Sequence, residues 1–195
     1  MCKSETGPGA PALALQALDM LRDLMSAVDS AQCDRVLEMI HAARRVFVTG
    51  TGRSMLVMRC FAMRLMQAGL EVFVAGETCT PAIGEGDLLL AATGSGTTRL
   101  VLSHLEKAKA AGASTACFTI FPASPTAALA GAIVCIPGAT AKAERTNELH
   151  APQIGGNSFE EGLLVLSDVM VIRLAQLYHC DVSDAAIMRR HANLE

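Results

Sequence analysis

The sequence predicts an α/β fold, a five-stranded parallel sheet with helices on both faces. Three observations carry this. Apolar runs of strand length alternate with longer amphipathic patterns across residues 45–137. Strands separated by helices pair in parallel, because only a long crossover brings the chain back to the same end of the sheet. Two of the runs also break into glycine- and hydroxyl-rich turns that open helices, Gly50-Thr51-Gly52-Arg53-Ser54 and Thr93-Gly94-Ser95-Gly96-Thr97-Thr98.

The elements follow in order. Over residues 11–30, Leu13, Ala17, Leu18, Leu21, Leu24, Met25 and Val28 recur at helical spacing, with Asp19, Arg22, Asp23 and Asp29 largely opposite. Residues 33–43 read as a second helix with Val36, Leu37 and Ile40 inward. The first strand is 45–49, and its helix, 55–68, stops at Gly69. The second strand is 71–75, and the third is 88–92, a run too short to be a core helix. Its helix, 99–111, stops at Gly112. The fourth strand is 114–120. Ser124-Pro125 supplies an N-cap with proline at the first helical position, and the fifth strand is 132–136. A helix is expected between each strand and the next.

Residues 138–157 show no periodicity, and structureless stretches of that length are commonly functional. Residues 159–178 form a helix apolar over most of its circumference. Such a helix needs burial on more than one side, which points to an oligomer interface. Residues 181–195 end the chain in a short charged helix. The expectation is one domain over 1–195: N-terminal helices to 44, a βα core over 45–137, a loop over 138–157 and C-terminal helices from 158.

Composition excludes several classes. Charged residues are 18% and the net charge is −3, with no basic block, so nucleic acid is not an expected partner. One tyrosine and no tryptophan offer no base-stacking platform. No apolar run reaches the length of a bilayer span, and the polar, turn-prone N-terminus is unlike a signal peptide, which makes cytoplasm the expected location. The seven cysteines form no C-x-x-C pair and their odd number argues against a disulfide framework. The five histidines have no zinc-site spacing, so neither metal nor cofactor is expected.

Both glycine-rich turns admit two readings, a capped βα turn or an anion cradle built from backbone amides and hydroxyls. Neither carries the lysine of a P-loop, and Met55 stands where G-x-G-x-x-G requires its third glycine. Two small neutral turns with one arginine suit a single monophosphate.

G-T-G-R-S followed by T-G-S-G-T-T resembles the sugar isomerase (SIS) fold, a flavodoxin-like three-layer sandwich with extra terminal helices here. Within that superfamily the pattern is similar to the 6-phospho-3-hexuloisomerases. F-A-M-R-L-M at 61–66, G-E-T-C-T-P-A-I at 76–83, G-D-L-L-L at 86–90 and the terminal R-H-A-N-L-E also carry the likeness. Thr97 replaces a family glutamate, and Gly156-Asn157-Ser158-Phe159-Glu160 shifts a hydroxyl by one position.

The resemblance implies interconversion of D-arabino-3-hexulose 6-phosphate and D-fructose 6-phosphate through a cis-enediolate, without cofactor, in a cytoplasmic homotetramer of the ribulose monophosphate pathway. It implies that Ser54, Thr93, Ser95 and Thr98 hold the phosphate, helped by the turn amides around Gly52. Arg53 either pairs with the phosphate or caps its turn. Glu160 aligns with the family's proposed base, although S-x-x-E at 158–161 also reads as a capping box and acids suit a helix's first turn. His191, in the terminal motif, is implied as a proton carrier in its own or a neighbouring subunit's site; a solvated tail histidine is the plainer reading. Glu77 lines the pocket or decorates a surface turn, and Glu148 and His150 are weaker candidates. His41, His104 and His179 read as structural or solvent-facing. The alternatives are an arabinose 5-phosphate type isomerase and a non-catalytic sugar-phosphate-binding module.

Overall fold

A computed structural model describes residues 7–138 and 158–194 of the 195-residue chain. The elements are α1 (Ala10–Ser26), α2 (Ser30–Ala42), β1 (Val46–Thr49), α3 (Gly52–Gln67), β2 (Val72–Val74), β3 (Leu88–Ala92), α4 (Arg99–Ala110), β4 (Ser114–Thr119), α5 (Pro125–Leu129), β5 (Ala132–Cys135), α6 (Ser158–Tyr178) and α7 (Asp184–Arg189). The five strands form one parallel sheet in the order β2-β1-β3-β4-β5. This is the flavodoxin-type order, with its switch point between β1 and β3.

The expected helix boundaries shift where local chemistry decides. The first helix stops at Ser26, and the Asp29 side chain accepts from the Ala31 amide to start α2. Ser124 caps α5 as expected, accepting from the Ala127 amide. The terminal helix ends at Arg189, so R-H-A-N-L-E lies beyond it.

One expectation is overturned: no helix separates β2 from β3. Residues 75–87 cross from one strand to the other as turns. Gly76, Pro81, Gly84 and Gly86 break any helical run there, and side chains pin the path instead. Thr80 Oγ1 donates to the Val74 carbonyl at 2.6 Å, and Asp87 accepts from the Gly84 amide at 2.9 Å.

Asp87 is the anchor at the N-terminal end of β3. Its buried carboxylate accepts both Arg45 guanidinium arms, at 3.0 and 2.6 Å, and Arg44 at 3.1 Å. These charged donors hold it at about 2, against the desolvation that opposes them.

The central strands β1, β3 and β4 are buried on both sides, which is why they read as largely apolar runs, while the edge strands β2 and β5 are only partly buried. On one side α1, α2, α3 and α6 pack over Val46, Val48, Leu88, Leu90 and Phe118. On the other, α4 and α5 cover Phe47, Leu89, Ala91 and Cys117. Burial drives the Cys117 thiol up to about 11, so it packs as a small hydrophobe.

Helix α6 is two-sided. Phe159, Leu163, Leu166, Met170 and Leu174 are buried, whereas Val165, Val169 and Ile172 form an exposed apolar row. Its neighbour α3 adds Leu56, Met63 and Met66 to the exposed apolar surface, and Arg64 and Asp168 bridge the two helices at 3.5 Å.

Candidate functional site

In open parallel sheets, ligands bind beyond the carboxyl ends of the strands at the switch point. Here that point falls between the two glycine-rich turns. β1 and β3 are hydrogen-bonded neighbours, with Thr49 opposite Ala91, yet α3 leaves to one face and α4 to the other. The strand ends therefore splay their following turns around a common crevice.

The first turn is tighter than its sequence implies. Helix α3 begins at Gly52 itself, so Arg53 and Ser54 occupy its first turn and not a preceding loop. Gly52 takes φ +56°, a left-handed value that glycine adopts without strain. Thr51 is the N-cap, and its side chain makes no capping bond. The first amides of α3 thus face the crevice without a side-chain acceptor from the cap residue, a setting that favours an anion.

The second turn is held from below. Thr93 is buried, and its hydroxyl lies 2.9 Å from that of Thr98, the N-cap of α4. Ser95 Oγ accepts from the Thr97 amide at 3.4 Å and from the Thr97 hydroxyl at 3.2 Å. Both contacts use Ser95 as acceptor, so neither consumes its own proton. Thr98 makes no side-chain capping bond, and α4 too presents its N-terminus to the crevice. The Ile120 amide donates to the Gly94 carbonyl and the Thr126 amide to that of Gly96, fixing the turn to β4 and α5.

Helix α6 closes the third side. A methyl on Gly94 would stand 3.2 Å from the Phe159 ring, so the α6 start packs directly on the second turn. One residue on, Glu160 Oε1 accepts from Ser54 Oγ at 3.3 Å, linking the expected base to the expected phosphate ligand across the crevice. Ser158 is buried and helical at the start of the described part of α6. Glu160 and Glu161 both lie in the first turn, where the helix dipole favours acids. Arg53 is half-exposed with a guanidinium nitrogen 3.9 Å from Glu161, at the rim.

The structure thus brings together Gly52, Arg53, Ser54, Thr93, Ser95, Thr98 and Glu160. It does not bring His191. Arg190 donates to the carbonyls of Gln67 and Asp181, pinning the tail to the far end of α3. From Ser54 to Gln67 a helix rises roughly 20 Å, well beyond the reach of His191 within one chain. The exposed His191 ring contacts only its neighbour's carbonyl, Ala192, at 3.2 Å in the described contacts.

Residues 39–152 match the SIS domain family, and the chain is 46% identical over 177 residues to the 3-hexulose-6-phosphate isomerase of Mycobacterium gastri, covering 91% of this chain and 87% of that protein. The chain belongs to the SIS domain family and groups with its 3-hexulose-6-phosphate isomerases. The Bacillus subtilis isomerase of that name is 31% identical across 92% of this chain and 96% of its own. Among solved structures, a Methanococcus jannaschii protein, whose structure was read as inferring 3-hexulose-6-phosphate isomerase function, superposes with a TM-score of 0.74. It is 28% identical, covering 94% of this chain and 97% of its own. NanR of Vibrio vulnificus, complexed with ManNAc-6P, shares the fold with a TM-score of 0.73 at 24% identity, covering 97% of this chain and 72% of its own.

Other candidates fall elsewhere in the SIS domain. Glu77 pairs with Arg59 and rims a separate cavity on the α4 side of the sheet. Glu148 and His150 lie outside the described residues. His41 stacks on Tyr178, ring centres 3.9 Å apart, far from the crevice. Among the described residues, no group of three or more His, Cys, Asp or Glu is placed to hold a metal ion, and no helix is long and apolar enough to cross a membrane.

Sequence reading missed the backing of the site. Phe159 and Ser124 set the shape of the second turn by contact with Gly94 and Gly96. His104, expected to be structural or solvent-facing, binds the end of β1 through Thr49. Both relationships join residues distant in sequence, and nothing in local periodicity signals them.

Proposed function

We propose that this SIS protein interconverts 3-hexulose 6-phosphate and fructose 6-phosphate, with Glu160 as the proton-transferring base. The observation that carries this is the Ser54–Glu160 contact, which sets a carboxylate at the edge of a two-turn anion grip. Ser54, Thr93, Ser95 and Thr98, with the first amides of α3 and α4, hold the phosphate. The sugar then extends toward α6. A carboxylate removes the proton from C2 of the 3-ketose, the electrons moving onto the C3 oxygen to give a cis-enediolate. Proton return to carbon C3, with the C2 hydroxyl proton passing to the C3 oxygen, yields the 2-ketose. The redox change is internal, so atoms and electrons balance without a cofactor.

Incubation with fructose 6-phosphate in D2O, followed by NMR, tests the reading. The expected result is enzyme-dependent loss of the C3 proton signal with appearance of the 3-ketose. Binding of the sugar phosphate without exchange at high protein concentration would identify a sensor and sink the isomerase reading.

His191 joins this chemistry through a second copy of the chain. The tail sits at one end of α3 and the crevice at the other. A two-fold axis across the exposed apolar faces of α3 and α6 sets the two ends of neighbouring copies side by side. Tail and crevice then alternate across the interface. Mixing inactive Glu160→Gln and His191→Ala proteins, unfolded and refolded together, should restore roughly a quarter of wild-type activity, the statistical share of intact sites in a random two-fold assembly. Strictly additive residual activities would place His191 outside the site. The cytoplasmic location, tetrameric state and ribulose monophosphate pathway belong to this same reading.

A further inference from the structure

We infer that His104 is a positioning residue that sets the spacing of the two phosphate-holding turns by locking the end of β1 to α4. The inference rests on the phosphate-site reading above. Thr49 is the last residue of β1 and is fully buried on its α4 side, with its hydroxyl 2.7 Å from His104 Nδ1. Beyond Thr49 the chain doubles back sharply. A methyl on Gly50 would stand 3.0 Å from the Met55 amide, so the path from Thr49 to Ser54 has no slack. A shift of Thr49 is therefore passed to Ser54.

The other end of the linkage is equally short. His104 lies in the second turn of α4, whose cap is Thr98, and Thr98 meets Thr93 hydroxyl to hydroxyl. Thr93 follows directly on β3, and β3 pairs with β1 at Ala91 and Thr49. The path Thr49, His104, Thr98, Thr93, β3 and back to β1 is a closed circuit around the crevice. Backbone pairing fixes the strands, but it ends at Thr49. Phe47 packs on α4 through apolar contacts one residue earlier, and among the described contacts the Thr49–His104 bond is the side-chain hydrogen bond that joins the first turn's strand to the second turn's helix.

The ring is suited to this task. Burial, with Lys107 beside it, holds the imidazole below its usual pKa, so it works as a neutral partner for a neutral hydroxyl. Its other neighbours are the wall of a cavity of about 370 Å³, lined by Phe47, Glu77, Thr80, Leu89 and Lys107. Glu77 and Lys107 are the charged groups on that wall. The cavity is separate from the crevice, and it leaves room for a small molecule to replace the ring.

The test is a double-mutant cycle on Thr49→Val and His104→Ala, with inorganic phosphate affinity read by calorimetry and KM and kcat read on fructose 6-phosphate. A lost hydrogen bond of ordinary strength predicts a rise of about five- to tenfold in phosphate Kd and in KM for each single variant. The double variant should be no worse than the weaker-binding single, and kcat should move far less than KM. His104→Asn, which places an amide near the position of Nδ1, should restore KM, and free imidazole should partly rescue His104→Ala through the adjoining cavity. Unchanged KM and phosphate Kd in His104→Ala, or fully additive effects in the double variant, would overturn the inference. A fall in thermal stability alone would have the same meaning. If wild type binds phosphate but exchanges no proton, the isomerase reading fails and the cycle on phosphate Kd still decides this one. Wild type that binds no phosphate removes both.

Discussion

Glu160→Gln should keep its affinity for fructose 6-phosphate and lose turnover by roughly 10²–10⁴-fold, the usual contribution of a positioned general base. The amide is nearly isosteric with the carboxylate, and its oxygen can still accept from Ser54 Oγ. The grip formed by Thr93, Ser95 and Thr98 is untouched, since none of their described bonds involves α6 side-chain oxygens. What is lost is the ability to take a proton from carbon. Deuterium exchange at C3 by NMR and sugar-phosphate affinity by calorimetry separate the two effects. Glu161→Gln serves as the control, because Glu161 faces Arg53 at the rim and should leave turnover largely intact. Full exchange in Glu160→Gln would move the base elsewhere in the chain.

Gly96→Ala should cost the protein about 3 kcal/mol, combining a left-handed backbone with overpacking. Gly96 takes φ +67°, and a methyl there would fall 2.2 Å from both Cβ and Oγ of Ser124. Ser124 cannot swing away cheaply, because it is buried and caps α5. At this chain length each kcal/mol moves the melting temperature by about 2–4 °C, so the melt should fall by roughly 10 °C. The second turn must also lift off α5, which should raise KM for fructose 6-phosphate. Gly94→Ala is the informative contrast. Its methyl would press on the Phe159 ring at 3.2 Å, shifting the start of α6 and hence Glu160. It should lower kcat more than stability. Equal melting temperatures for wild type and Gly96→Ala would show that this turn is not held as described.

Much of the site was legible because its residues are local. Gly52 to Ser54 and Thr93 to Thr98 are contiguous stretches that announce a turn and a helix start by composition alone. Leu88 to Ala92 reads as a buried strand because burial on both faces removes polar alternation. The missing helix between β2 and β3 was legible too, in Gly76, Pro81, Gly84 and Gly86, but the regular alternation elsewhere masked it. A prior of regularity outweighed four breakers. The start of α3 differs for a subtler reason. Gly52 reads as a loop residue, yet its left-handed φ lets the chain enter the helix three residues sooner, placing Ser54 where it meets Glu160.

The strand runs, the glycine and hydroxyl turns that follow two of them, the absence of basic tracts and the motifs shared with the SIS family can all be read from the order of amino acids. These depend on residue type and spacing within one element, where backbone preference and burial act over a few residues. What faces what is set by the packing of elements against one another. Strand order put the two turns on either side of one crevice, and helix packing set Glu160 against Ser54. It placed His104 under the first turn, and the Arg190 anchor carried His191 a helix length away. Those outcomes come from contacts between residues forty to more than a hundred positions apart, and such contacts are chosen by how whole faces pack, which no local pattern encodes.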